Sequence, residues 1–301
     1  MLVAVTGSTG LIGAALVPRL AGAGHGVVRL VRGAPRPALA ERLVRWDPDT
    51  GGIEPSGLDG VDAVVHLAGE SVAGGRWTAA KKRRIRESRV PATRALCETL
   101  AQLREPPRVL VAASATGYYG DRGDQVLREE SAPGASFLAG VCREWEAAAE
   151  PAARRGIRVV HLRIGIVLSP QGGALAALLP PFRLGAGGPV GSGAQWMSWI
   201  GLDDTAGAVL HALVNDAVTG PVNVVAPAPV TNREFARTLG RVLRRPAILP
   251  LPAFAARLLL GQMADELLLA SARVLPARLQ ATGFAFRDAT LEGALRRILG
   301  R

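Results

Sequence analysis

Lysine, tyrosine and cysteine are almost absent from this chain of 301 residues. Lys81 and Lys82 are its only lysines, Tyr118 and Tyr119 its only tyrosines, and Cys97 and Cys142 its only cysteines. Two cysteines exclude a disulfide framework and fit a reducing, cytoplasmic setting. No stretch of about 18 apolar residues runs free of charge, so no membrane span is expected. No basic stretch precedes Leu2–Val5, and a glycine turn interrupts that apolar run, so no signal peptide is expected. Zinc-ligand spacing is lacking too, and no metal is expected.

Acidic residues are also in the minority. There are 25 against 36 basic ones, a formal net charge of +11. Such a balance suits nucleic acid or an anionic ligand. The excess is nearly all arginine, which reads as a bias in the coding sequence combined with an anionic ligand. Aromatic residues make up only 4%, and no aromatic-studded basic strand is present, so nucleic acid is not an expected partner.

What the chain does have is glycine and apolar residues in a definite order. Residues 6–13 read Thr-Gly-Ser-Thr-Gly-Leu-Ile-Gly, after the apolar run Met1–Val5 and before a helix-like stretch. A strand, a glycine turn and a helix start in that order hold a pyrophosphate. Gly7, Gly10 and Gly13 let backbone N–H groups approach, and the helix N-terminus adds its dipole. Ser8, Thr9, Leu11 and Ile12 complete the candidate phosphate site.

Strands are predicted at Leu2–Thr6, Val27–Val31, Leu43–Trp46, Ala63–Leu67, Val109–Ala113 and Val159–Arg163. Helices are predicted at about 11–22, 78–103 and 137–155. Near-continuous apolar strands alternating with helices indicate an α/β fold with a doubly wound parallel sheet, the Rossmann fold. Residues 1–169 are expected to form this dinucleotide-binding domain, its sheet completed by parts of 195–230. Residues 170–301 are expected to form a smaller mixed substrate and lid region, with a helical module at 248–301. Gly185–Gly193, with Gln195 and Trp196, is the expected lid. Asp203 and Asp204 mark one helix start, and Thr231 with Glu234 has capping-box spacing for another.

The second strand suggests which dinucleotide. A carboxylate at its end would accept bonds from ribose hydroxyls in an NAD site. Here Arg32 stands there, with Gly33 and Arg36 following and no carboxylate before Glu41. A guanidinium suits a 2′-phosphate, so NADP(H) is the expected cofactor. Asp47 either meets the adenine or starts a turn. Leu67, Ala68 and Gly69, small or apolar at the fourth strand's end, let the backbone run along the cofactor, and Glu70, Arg89, Ala113 and Ser114 are further expected cofactor contacts. His66 reads as core, and His161 and His211 as structural.

These residues resemble the extended short-chain dehydrogenase/reductases, the NAD-dependent epimerase/dehydratase family, and within it the atypical YfcH-type epimerase family proteins. The resemblance is carried by Gly69-Glu70, Arg76-Trp77-Thr78, Ser88-Arg89, Ser114-Ala115-Thr116-Gly117-Tyr118-Tyr119-Gly120, Trp145-Glu146, Gly187-Gly188-Pro189 through Gly193, Ser198-Trp199-Ile200 and Asp203-Asp204. The tail from Pro250 through Phe286 resembles that subfamily's own C-terminal module. Gly201 stands where the closer relatives often have a His.

The resemblance implies a Ser-Tyr-Lys chemistry that this chain cannot supply. Tyr and Lys four apart on a helix face one way, and the ammonium lowers the phenol's pKa. In the expected helix, Leu138 and Cys142 hold those two positions. Ser114, after Ala113 at the end of the fifth strand, is the expected substrate contact. Tyr118, Cys142 and Arg89 are the remaining catalytic candidates, with Lys82 a second source of positive charge. Three functions follow: an NADP(H)-binding oxidoreductase acting on a small carbonyl or hydroxyl compound, an NADPH-responsive binding or regulatory protein, or a nucleotide-sugar epimerase or dehydratase. The last needs a strong base. A homodimer is compatible with the sequence, which does not decide the assembly.

Overall fold

The computed structural model describes residues 1–32, 42–48, 52–53 and 55–301. Gly33, Arg36 and Glu41, used above to choose a cofactor, lie outside the described residues.

The chain opens as strand β1 (Leu2–Thr6), helix α1 (Leu11–Gly22), then β2 (Gly26–Val31), β3 (Arg42–Arg45) and β4 (Ala63–His66). Helices α2 (Ala79–Glu87) and α3 (Val90–Gln102) lead to β5 (Val109–Ala115) and a short β6 (Val126–Leu127). Helices α4 (Phe137–Ala147) and α5 (Glu150–Arg154) precede β7 (Arg158–Ile164) and β8 (Ile166–Leu168). Then come α6 (Gly173–Arg183), β9 (Trp196–Met197), β10 (Trp199–Gly201), α7 (Leu202–Val214), β11 (Gly220–Val224), β12 (Val230–Thr231) and α8 (Asn232–Leu243). The tail holds α9 (Ala253–Leu260), a π-helical segment Ala264–Leu269, β13 (Arg273–Val274), α10 (Ala277–Ala281) and α11 (Leu291–Leu299).

Seven strands form the central sheet in the order β11-β7-β5-β4-β1-β2-β3. Every pairing within it is parallel. Its apolar strands serve both faces. Val3, Val5, Val65, Val111 and Leu162 pack toward α1 and α7, while Ala4, Val64, Leu110 and Val159 pack toward α3 and α5. This is the doubly wound arrangement that the uninterrupted apolar strands predict. The strand order reverses at β1, between β4 and β2, so the carboxyl ends of β1, β4 and β5 open onto one crevice.

Two helices are shorter than their periodicity suggests. The predicted 78–103 helix breaks at Ser88-Arg89. Pro91 sits in the first turn of α3, where its missing N–H costs nothing but its ring prevents continuation from α2. The predicted 137–155 helix breaks at Ala148-Ala149, again just before a proline, Pro151. The capping box at Thr231 and Glu234 is formed with both bonds present.

Residues after 168 are not all separate from the sheet: β11 pairs with β7 and forms one edge. Helix α7 packs on the sheet beside α1, and α6, α8 and α11 build a second core around Leu175, Leu179, Phe182, Trp199, Phe235 and Leu295.

Candidate dinucleotide and active site

Gly7 has φ of +65°, a conformation open to glycine and strained for other residues. A Cβ there would stand 2.8 Å from the Leu67 carbonyl carbon and 2.9 Å from the Ala68 nitrogen. A Cβ on Gly13 would meet the Gly7 oxygen at 2.2 Å. The turn therefore lies against the end of β4 on one side and against the first turn of α1 on the other. Helix α1 starts with Gly10 as its cap, without a side-chain cap bond and without an acidic residue in its first turn. Its first N–H groups are left to an outside acceptor, which is the arrangement a phosphate needs.

The β4 end is held in register by polar bonds. Thr6 Oγ1 accepts from the Leu67 N–H at 3.1 Å and the Ala68 N–H at 3.2 Å. It also bonds His66 Nδ1 at 2.8 Å, and His66 Nε2 bonds Thr93 Oγ1 at 2.9 Å. His66 is fully buried, and burial pushes its pKa down to about 4. It is a core histidine, as its sequence setting suggests.

A cavity of about 460 Å³ runs along this surface. Gly7, Ser8, Thr9, Gly10, Leu67, Ala68 and Gly69 form its floor, and Leu30, Arg32 and Trp46 one end. Among the described residues no carboxylate lines it, and Arg32 is exposed at its rim. Asp47 is not among its lining residues. A second cavity of about 620 Å³ shares Thr9 and Gly10 and continues past Leu11 to Gln171, Gly172 and Asp203. The turn without side chains and the uncapped helix both suit a dinucleotide.

At the end of β5 the Ser114 hydroxyl is buried and donates to Glu146 Oε1 at 2.7 Å. Glu146 is gripped by Arg163 through two bonds, each 2.8 Å. Arg163 also donates to the Tyr119 hydroxyl at 3.0 Å and lies over the Tyr118 ring, 3.5 Å from its centroid. Tyr119 in turn donates to Asn223 Oδ1 at 2.6 Å. Burial opposes the Arg163 charge, but the bonds and charge of Glu146 and Tyr119 outweigh it and push the guanidinium's pKa up. Burial also pushes the Tyr119 phenol up to about 12.

Leu138 and Cys142, the occupants of the expected Tyr and Lys positions, are both buried on α4. Burial and the nearby Glu146 charge push the Cys142 thiol up to about 12, against smaller opposing effects of Arg89, Ala115 and Ser114. Ala113 points from β5 into the opposite face of the sheet.

Arg89 sits at the break between α2 and α3. It donates to the Glu70 carbonyl at 2.9 Å and the Ile85 carbonyl at 3.0 Å, and stacks on Trp145 at 5.1 Å. Burial lowers its pKa, and the charges of Cys142 and Glu70 act the other way. Arg89 thus stands between the β4 and β5 ends of the crevice. Lys82 faces outward and bonds Gln262 on the C-terminal module at 2.9 Å.

The residue missed from sequence is Lys81. It is 5% exposed and donates to Glu70 Oε1 at 2.7 Å. It lies in the basic run Lys81–Arg86, yet Lys81 and Ile85 are the buried pair of α2, four apart. That spacing was the available signal.

The expected lid loop is fastened at several points. Gly191 and Leu251 exchange backbone bonds with their opposite segments, Asn232 Oδ1 accepts from the Val190 N–H at 2.7 Å, and Gln195 Nε2 donates to Val190 and Leu268 carbonyls.

Residues 3–225 match the NAD dependent epimerase/dehydratase family, and residues 251–298 match a domain of unknown function, DUF1731. The chain belongs to the NAD dependent epimerase/dehydratase family. Among relatives of this epimerase-family chain, an epimerase family protein of Mycobacterium bovis is 45% identical over 294 residues, covering 98% of this chain and 96% of that one. The human epimerase family protein SDR39U1 is 38% identical over 303 residues, covering 99% of this chain and 100% of that one. Its crystal structure with NADPH superposes with a TM-score of 0.89 at 34% identity over the whole of both chains. The nucleoside-diphosphate sugar epimerase of Corynebacterium glutamicum gives a TM-score of 0.82 at 40% identity, covering 100% of this chain and 58% of that one. The epimerase-family fold and NAD(P) as the class of cofactor are thereby established, and the tail match agrees with the C-terminal module read from sequence. No helix among the described residues is long and apolar enough to cross a membrane.

Proposed function

We propose that this protein binds NADP(H) and acts as an atypical short-chain oxidoreductase on a small carbonyl or hydroxyl compound, without a Tyr-x-x-x-Lys pair. The observation that carries this reading is Arg32, exposed at the end of β2 on the rim of a cavity whose described lining residues include no carboxylate. A guanidinium at that point offers planar charged donors to a 2′-phosphate. The NADPH in the human relative's structure supports the same choice.

The chemistry a nicotinamide cofactor supplies is hydride transfer. Gly7, Gly10 and Gly13 with the Leu11 and Ile12 N–H groups hold the diphosphate, and Leu67, Ala68 and Gly69 form the wall alongside. Ser114 is aimed by Glu146 and Arg163, so its hydroxyl is a positioned polar group whose own proton is committed. Tyr118 is the half-buried phenol whose ring lies under Arg163. Positioning alone contributes much of the rate in such a site. The two buried cysteines support a reducing, cytoplasmic setting.

A second reading rests on a specific observation. Ser114 and Tyr119 are already donating to protein partners, and the Cys142 thiol is pushed up to about 12. That depletion of proton donors suits an NADPH-responsive binding protein. Purified protein with NADPH and a broad carbonyl panel separates the two. Cofactor oxidation with any member supports the enzyme, and tight NADPH binding without turnover across the panel supports the second reading.

A further inference from the structure

Lys81 and Glu70 form the one ion pair with a lysine among the described residues, and no candidate function above uses it. Glu70 directly follows Gly69, the last wall residue of the 460 Å³ cavity. Its backbone is pinned on both sides: its N–H donates to Ser88 Oγ at 3.0 Å, and its carbonyl accepts from Arg89 at 2.9 Å. The loop therefore does not need the carboxylate to stay in place. Lys81 lies beneath, its side chain 6% exposed against 39% for Glu70. Gly69 and Gly74 leave room for the two cations, since a Cβ on either would stand 3.2 Å from Arg89 Cζ or Lys81 Nζ.

Burying an ammonium is costly unless its partner is fixed and charged. Here it fixes one carboxylate oxygen. The other, Oε2, makes no hydrogen bond or ion pair among the described residues, on a residue that directly follows the cavity's wall residue Gly69. The Lys81 hydrogen bond holds Glu70 well below the usual carboxylate range, with burial opposing and the charges of Lys81, Arg84 and Arg89 assisting. An ionised, aimed oxygen accepts hydrogen bonds and donates none. Beyond the diphosphate cradle, the matching donors on a nicotinamide dinucleotide are the ribose hydroxyls of its nicotinamide half.

We propose that Glu70 is the carboxylate that binds the nicotinamide-ribose hydroxyls, and that Lys81 is the positioning residue that aims it. This rests on the dinucleotide reading above. It gives the chain a hydroxyl clamp on β4 and α2, outside the helix where Leu138 and Cys142 stand.

The test is titration of NADPH and of adenosine 2′,5′-bisphosphate, which lacks the nicotinamide half, against wild type, Glu70→Gln, Lys81→Met and the double variant, with thermal midpoints recorded. Each single variant is expected to weaken NADPH by roughly tenfold, as loss of a charge-assisted bond does. Bisphosphate affinity is expected to stay within about twofold, and the double variant to bind NADPH no worse than Glu70→Gln, because Lys81 acts through Glu70. NADPH binding unchanged in Glu70→Gln overturns the proposal. So does equal weakening of both ligands, which assigns the pair to loop folding alone. Wild type that binds neither ligand overturns the dinucleotide reading and this proposal together.

Discussion

Ser114 donates its hydroxyl hydrogen to the same Glu146 oxygen that accepts from Arg163 Nε, at 2.7 Å and 2.8 Å respectively. A side chain expected at the substrate is thus the outer member of a buried charge network. Ser114→Ala leaves the Arg163 fork intact and is expected to cost about 1–2 kcal/mol. Glu146→Gln strands a buried guanidinium and is expected to cost about 3–5 kcal/mol. Urea unfolding of the two variants checks the order, and equal losses would show that the fork carries no buried charge.

Gly13→Ala forces a Cβ onto the Gly7 oxygen, where 2.2 Å is available. The expected cost is about 2–3 kcal/mol, with loss of NADPH binding as the turn shifts. Gly22, at the other end of α1, has nothing within 4 Å of its Cβ position. Gly22→Ala is expected to stabilise by up to about 1 kcal/mol and to leave binding unchanged. Thermal melts and NADPH titration together distinguish the two glycines.

The architecture was legible in sequence because its signals are local. β1 and α1 fall on their predicted residues, since an apolar run meets the glycine turn at Thr6 and Leu11. The helix breaks at Ser88 and Ala148 were missed, although Pro91 and Pro151 mark them. The site was less legible, because it depends on partners distant in sequence. Nothing local to Ser114 announces Glu146 or Arg163, and nothing local to Lys81 announces Glu70, 11 residues away. Arg163 and Lys81 are buried charges, and burial of a charge is decided by the residue that comes to meet it.

Stability is expected to fall in acid through His66. Its folded pKa of about 4 lies below the unfolded value of 6.5, so the unfolded chain takes up a proton first as pH falls. The stability present above pH 6.5 is then lost progressively down to pH 4, by about 3 kcal/mol. Burial lowers His161 and His211 in the same direction. Urea midpoints across this range should decline, and a flat profile contradicts a buried neutral His66.

Both cysteines are buried, with burial first among the causes that push each thiol up to about 12. Iodoacetamide at pH about 8 is expected to leave native protein unlabelled and to modify Cys97 and Cys142 once it is unfolded, since the thiolate is the reactive form. Rapid native labelling of Cys142, read by mass spectrometry, would identify it as an accessible thiolate and restore it as a proton-transfer candidate.

The proposed function has the crevice at Gly7–Gly13 select NADP(H) through Arg32. Calorimetric titration of wild type and Arg32→Ala with NADPH and with NADH tests it most directly. Wild type is expected to bind NADPH roughly tenfold or more tighter than NADH, and Arg32→Ala to bring the two together by weakening NADPH alone. Equal or tighter binding of NADH by wild type, or an Arg32→Ala variant with its preference intact, contradicts the account.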